Sequence, residues 1–393
     1  MGGSFLLAGE EYDHPRDEVI SDLLESYLSA HPAALHQVAV CQALPPGGGD
    51  SSQSALTFSQ LNTRANQLAR ALAEKVRQYG EEQRNQDGDL LIAVRFVPDP
   101  SLIVSLLAIL KAGLAYVPIA PNWPELRIRH ILSEAQPLLI LTNLPSDIFH
   151  RDVVKSDKAS SYRMPEVLHY ADLEAAAASQ PSTNLEPHEI FNLSLRGRRL
   201  LAVLYTSGST GTPKGVRLLH QAALNRLGWY WRSFPYAEDE VCVFKTTLTF
   251  VDSIAEIWSP LLRGKQLIVF PRRTTQNVAD FVEALDRYRI GRVYLLTGLM
   301  RSILAYVNLN RGEAASPLLG SVRLWELTAE AVTKDVLLSF FSHFTSGHHV
   351  VSNFYGSTET MDVVLFQTFR GAHGQQDGRL WEFISSQLHY CNI

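Results

Sequence analysis

The run Leu200-Leu201-Ala202-Val203-Leu204-Tyr205 leads without a spacer into Thr206-Ser207-Gly208-Ser209-Thr210-Gly211-Thr212-Pro213-Lys214-Gly215-Val216. An apolar, β-prone run followed directly by Gly, Ser and Thr reads as a strand that delivers a loop at its carboxyl end. Ligands of open α/β sheets bind outside the carboxyl ends of strands, so position alone makes 206–212 a candidate site. Gly208, Gly211 and Gly215 let the backbone approach a ligand closely. Thr206, Ser207, Ser209, Thr210 and Thr212 add hydroxyls, and amides plus hydroxyls make a cradle for phosphate oxygens. Lys214 adds a mobile positive charge. Two familiar loops do not fit. Five residues after Gly208 stands Pro213, and Gly215 follows Lys214, so the Walker register fails. The hydrolase elbow G-x-S-x-G fails because Ser207 stands two residues before Ser209. A polar hairpin without a ligand is the plain alternative.

Outward from this loop, runs 90–97, 115–119, 138–142, 241–245, 266–270, 292–296, 322–325 and 349–353 read as strands. Helical patterns at 101–111 and 278–288 lie among them. Alternation of strand and helix predicts parallel sheets covered by helices on both faces. Thr57-Phe58-Ser59-Gln60 reads as a capping box opening a helix with Leu61, Ala65, Leu68, Leu72 and Val76 on one face and Gly80 placed to stop it. Residues 143–198 read as a surface connection with some helix.

Composition narrows the function classes. At 393 residues and 46% hydrophobic, the chain can build a substantial core. With 35 basic against 40 acidic residues, the net charge of −5 offers no basic excess for nucleic acid. Three scattered cysteines, Cys41, Cys242 and Cys391, make neither a disulfide framework nor a metal knuckle, and suit a reducing compartment. The apolar run Leu102–Leu110 is shorter than the roughly 20 residues of a membrane span. The N-terminus has no signal-peptide pattern and Leu6 breaks a myristoylation motif. The expectation is a cytoplasmic protein with no nucleic-acid or membrane partner. His348-His349 would face opposite ways on a strand and so do not suggest zinc.

The 205–216 loop resembles the signature of adenylate-forming (AMP-binding) enzymes, which include acyl-CoA synthetases, luciferases and the adenylation domains of nonribosomal peptide synthetases. Further stretches match in the family's order. They are Leu56–Leu72, Leu110-Lys111-Ala112-Gly113-Leu114-Ala115-Tyr116-Val117-Pro118-Ile119, and Asn353-Phe354-Tyr355-Gly356-Ser357-Thr358-Glu359. The resemblance covers residues from about 20 to 370. It implies an α/β large lobe of packed, mostly parallel sheets flanked by helices. It divides the chain into an N-terminal extension (1–20), an adenylation large subdomain (21–370) and a divergent tail (371–393). It also implies roles. Thr206, Ser207, Gly208, Ser209, Thr210, Gly211 and Lys214 would enclose the ATP phosphates. Tyr355 would stack on adenine, with Asn353 on its edge and Gly356 beside it. Glu359 would hold Mg2+, and Thr358 would lie near the α-phosphate.

The amino-acid-activating members place an Asp in a Phe-Asp motif against the substrate's α-amino group. Here Phe250-Val251-Asp252 puts the Asp one residue late, in a register fixed by Glu256. A carboxylate displaced by one residue suits an ammonium displaced by one methylene, as in β-alanine, since a buried ammonium needs a partner. Asp362 is a second candidate carboxylate. Asp252 also reads as an N-cap for the helix that follows. The implied chemistry is attack of an already ionised carboxylate on the α-phosphorus of Mg·ATP, with no general base required. The acyl group then passes to an amine or to a phosphopantetheine thiol on a separate or missing carrier domain. The sequence departs from the family pattern at Ala120, where Asp is usual, and at Thr328-Ala329-Glu330-Ala331, where a Gly-Glu turn is usual. The ribose-binding Asp motif and the C-terminal subdomain with its Lys are absent. These departures leave three expectations: an amino-acid-adenylating enzyme that is incomplete or inactive as this chain, a non-catalytic nucleotide-binding fragment or pseudoenzyme, or an acyl-CoA-synthetase-like ligase.

Overall fold

The computed structural model describes residues 16–44, 55–79, 84–145, 164–207, 212–310, 318–371 and 388–390. The strands among them are β1 (Val38–Gln42), β2 (Leu56–Thr57), β3 (Leu91–Arg95), β4 (Ala115–Pro118), β5 (Leu139–Thr142), β6 (Glu166–His169), β7 (Leu200–Thr206), β8 (Lys214–Leu219), β9 (Val241–Phe244), β10 (Gln266–Val269), β11 (Ile290–Leu296), β12 (Leu324–Thr328), β13 (Val350–Ser357), β14 (Asp362–Arg370) and β15 (Leu388–Tyr390). They form a six-stranded sheet in the order β6-β5-β3-β4-β7-β8 and a nine-stranded sheet in the order β15-β14-β13-β12-β11-β9-β10-β1-β2. Interior pairs are parallel, while β8, β2, β14 and β15 add antiparallel edges. The α/β architecture expected from the sequence is the one observed.

Side-chain alternation explains how the layers stack. In β11, Tyr294 faces a core shared by both sheets, while Val293 and Leu295 face a second core on the outer side. In β3, Ile92 and Val94 join the shared core, and Leu91 and Ala93 face outward. The shared core encloses the helix Pro100–Lys111, buried at every residue from Leu102 onward. A helix apolar all round is one with neighbours all round, which accounts for the Leu102–Leu110 run. Among the described residues, no helix is long and apolar enough to cross a membrane. The helices Val278–Arg287, Thr297–Leu309 and Lys334–His343 cover the outer face of the larger sheet, and Glu125–Ala135 covers that of the smaller.

The capping box forms as expected. The Thr57 hydroxyl accepts from the Gln60 amide at 3.2 Å, and the Gln60 side chain accepts from the Thr57 amide at 2.9 Å. The helix runs Phe58–Arg77, and Gly80 lies outside the described residues. Several elements escaped the sequence reading. The 143–198 connection contains β6 and the helix Tyr170–Ala177. The stretch from Lys214 is not loop but strand β8, because pairing with β7 decides it rather than local composition. The His348 and His349 rings lie 4.2 Å apart, since both precede β13 and escape strand alternation. His349 contacts the Val322 carbonyl at 2.7 Å and His348 the Gly320 carbonyl at 3.3 Å.

Candidate active site

The glycine-rich segment joins two paired strands. Thr206, half-buried, ends β7, and Ser207 is exposed beyond it. Gly208, Ser209, Thr210 and Gly211 lie outside the described residues. Lys214 opens β8 directly opposite Thr206 and is exposed. His130 Nε2 sits 3.3 Å from the Pro213 carbonyl, tying this end of the segment to the helix Glu125–Ala135.

The other candidates gather at the carboxyl edge of the larger sheet, where β9, β11, β12 and β13 end. After β9 the chain turns into the helix Asp252–Leu261, and Glu256 organises that turn. One Glu256 oxygen accepts from the Lys245 and Thr246 amides at 3.0 and 2.8 Å, and the other accepts from the Thr246 hydroxyl at 2.8 Å. Burial pushes this carboxyl up, while Lys245, 3.6 Å away, and the donated bonds pull it back. The turn presents Phe250, 61% exposed, then Val251 and Asp252.

Asp252 is not the N-cap. Val251 holds that position without a side-chain bond, and Asp252 is the first helical residue. Its Oδ1 is buried and accepts no hydrogen bond among the described residues. Asp362 comes to meet it. Met361 and Asp362 have φ of 55° and 84°, a left-handed pair that turns the start of β14 inward. Asp362 Oδ2 accepts from Arg226 Nε at 3.1 Å and from Nη2 at 2.8 Å. Burial pushes the Asp362 carboxyl up to about 7; Arg226 opposes the shift, and the neighbouring Asp252 adds to it through charge and a hydrogen bond.

Arg226 was not singled out by sequence reasoning. It projects from the helix His220–Ser233 with its guanidinium 4.7 Å from the Trp229 ring and 5.3 Å from that of Tyr230, and its Nη2 lies 3.3 Å from the Tyr294 hydroxyl. A signal existed: Arg226 shares a helical face with Ala223 and Tyr230, both buried, so a cation there needs a buried partner. Glu326 on β12, fully buried, was missed too. Burial pushes its carboxyl up to about 8 against the pull of Arg292 and Tyr230, so it is mostly protonated at neutral pH.

The Asn353–Glu359 stretch forms β13 and its turn into β14. Asn353 Oδ1 is buried without a hydrogen bond among the described residues, and Tyr355 is 68% exposed. Gly356 is required by its own hairpin, since a Cβ there would sit 1.4 Å from the Asp362 carbonyl oxygen. Thr358 is half-buried and Glu359 exposed in the turn. Among the described residues, no group of three or more His, Cys, Asp or Glu could hold a metal, so Glu359 is a lone candidate ligand. Ala329 follows β12 with φ of 62°, a conformation that glycine takes more easily, and Glu330 Oε2 accepts from the Gly298 amide at 3.0 Å. A cavity of about 1080 Å3 opens at the opposite, amino edge of the sheet beside Val241, Gln266, Gly291 and Arg323, away from these groups.

Two packed, mostly parallel sheets flanked by helices define an α/β fold shared with the N-terminal subdomain of nonribosomal peptide synthetase adenylation domains. The crystal structure of the nonribosomal peptide synthetase FmoA3 superimposes with a TM-score of 0.72 at 20% identity, covering 97% of this chain and 35% of that one. The Klebsiella oxytoca NpsA N-terminal subdomain superimposes with a TM-score of 0.69 at 20% identity, covering 91% and 79%. Residues 33–381 match the model of the AMP-binding enzyme family, and the chain belongs to that family. It is 42% identical over 324 residues to the Drosophila melanogaster β-alanyl-bioamine nonribosomal peptide synthetase ebony, a match spanning 81% of this chain and 35% of the relative. It is 29% identical over 369 residues to Bacillus licheniformis bacitracin synthase 3, spanning 93% and 5%. The chain therefore spans about a third or less of these two curated relatives.

Proposed function

We propose that this chain binds Mg·ATP and a β-amino acid, β-alanine, and activates the carboxylate of the latter as its adenylate, for transfer to a carrier thiol or an amine. The observation that carries the substrate assignment is the Asp252–Asp362 pair, in which one buried Asp252 oxygen lacks a hydrogen-bond partner among the described residues. A buried carboxylate oxygen without a donor is costly, and a primary ammonium would satisfy it. The resemblance to ebony, a β-alanyl-bioamine synthetase, supports the same reading.

The residues present fit a nucleotide. Asn353 Oδ1, without a hydrogen bond among the described residues, would accept from the adenine amino group, and the exposed Tyr355 ring offers a stacking face. Thr206, Ser207, Lys214 and the residues 208–211 would hold the phosphates, Thr358 would lie near the reacting phosphate, and Glu359 would hold Mg2+. Bound Mg·ATP supplies the electrophilic α-phosphorus and pyrophosphate as the leaving group. The protein's own residues supply position and charge. Asp252 and Asp362 would seat the ammonium, Glu256 fixes the turn that carries Asp252, and the substrate carboxylate is left free to act as an ionised nucleophile.

The test is pyrophosphate exchange into ATP by the purified chain, with β-alanine, L-alanine, propionate and a fatty acid compared. Exchange driven by β-alanine above the others is expected. Exchange driven by the fatty acid would assign the chain to acyl-CoA-synthetase-like ligases. Stoichiometric ATP binding without exchange would make it a nucleotide-binding fragment.

A further inference from the structure

We propose that Arg226 is a positioning and specificity-setting residue for the substrate ammonium. By gripping one oxygen of Asp362 it favours the ionised form of that carboxylate and holds it toward Asp252, so that the pair seats a single positive charge. The inference rests on the β-amino-acid reading above.

Two carboxylates in hydrogen-bond contact cannot both be ionised unless a proton or another cation lies with them. Arg226 supplies part of that compensation. Two of its bonds go to Asp362 Oδ2, at 3.1 and 2.8 Å. The guanidinium cannot drift, because it is packed over Trp229 and Tyr230 and near Tyr294. The charges facing Asp362 come from every packed element: Arg226 from one helix, Asp252 from another, Tyr294 from β11 and Glu326 from β12. Tyr294 is neutral, since burial pushes its hydroxyl well above the usual range, and Glu326 is mostly protonated at neutral pH. With both carboxylates ionised, Asp252, Asp362 and Arg226 together carry one net negative charge, which matches one ammonium. A substrate with no amino group leaves that charge uncompensated, and a second ammonium finds no further acid.

The empty site can balance itself with a proton on the pair, and the incoming ammonium must displace it. Ammonium binding therefore strengthens as pH rises through the ionisation of the pair and levels off above it. Removing Arg226 leaves Asp362 beside Asp252 without its cation, so the pair holds its proton to higher pH.

The probes are two non-hydrolysable adenylate mimics, β-alanyl-sulfamoyl-adenosine and its propionyl counterpart, titrated calorimetrically against the full chain from pH 5.5 to 8.5. The wild-type chain is expected to prefer the β-alanyl mimic, with a preference that grows about tenfold per pH unit below a midpoint near 7. Arg226→Met should move that midpoint up by about one unit or more, and Arg226→Lys should restore much of it. Asp362→Asn should abolish the midpoint, and it carries the test should Arg226→Met not fold. A uniform loss of affinity at every pH in Arg226→Met, or an unchanged midpoint in Asp362→Asn, would overturn the role of Arg226. Absence of any preference for the β-alanyl mimic in the wild-type chain would instead overturn the substrate reading itself.

Discussion

The proposed nucleotide side and the proposed substrate side of the site are built in opposite ways. The nucleotide-side candidates lie in two short, contiguous stretches, 206–214 and 353–359, each delivered by a single strand. The acidic pocket is assembled from Arg226, Asp252, Glu326 and Asp362, which lie on two helices and two strands far apart in sequence. A loop that must wrap a common phosphate group can be specified locally by glycines and hydroxyls. A pocket that must match one small molecule is specified by which side chains the packed core brings together, and those can change one at a time.

This difference predicts how each region responds to substitution. The largest effect should come from Asp252→Asn. Removing one carboxylate from the proposed ammonium seat should cost about 3–5 kcal/mol, or roughly 10²–10⁴-fold in β-alanine-dependent exchange, while thermal unfolding should be unchanged. Equal loss of ATP binding in that variant would erase the distinction between the two sides. Next, Arg292→Met should cost stability rather than specificity. Arg292 pairs in the interior with Glu240 and donates at 3.0 Å to the hydroxyl of Tyr230, the ring over which Arg226 lies. Breaking such a pair by removing one partner destabilises by about 3–5 kcal/mol, measurable by urea unfolding. Lys214→Ala should weaken ATP binding by about tenfold, the value of one partly exposed charge-assisted contact, with no change in preference among carboxylates. Equilibrium nucleotide titration checks it. The smallest effect should come from Ala329→Gly, which removes a left-handed alanine and should stabilise the chain by roughly 1 kcal/mol in thermal denaturation.

The same contrast explains what was legible in the sequence. The fold followed from alternation of strand and helix, and the burial of Pro100–Lys111 from its unbroken apolar run. Edge strands such as β8 and β14 were missed because partners, not composition, make them strands. Asp252 was visible only through a motif shifted by one residue, and its expected capping role did not materialise because Val251 occupies that position. Asp362 was legible only as a second candidate carboxylate, and its inward turn depends on two consecutive left-handed backbone positions that no local propensity announces. Arg226 was unmarked, although a cation among Ala223, Leu224, Leu227 and Tyr230 on a helix is the kind of exception that points to a buried partner.

The most direct test of the acidic seat is a crystal structure of this chain with β-alanyl-sulfamoyl-adenosine bound. The ammonium nitrogen is expected about 3 Å from both Asp252 Oδ1 and the oxygen of Asp362 that Arg226 leaves open, with the Arg226–Asp362 pair intact. An ammonium bound by other groups, with Asp252 and Asp362 still bonded only to each other and to Arg226, would contradict it.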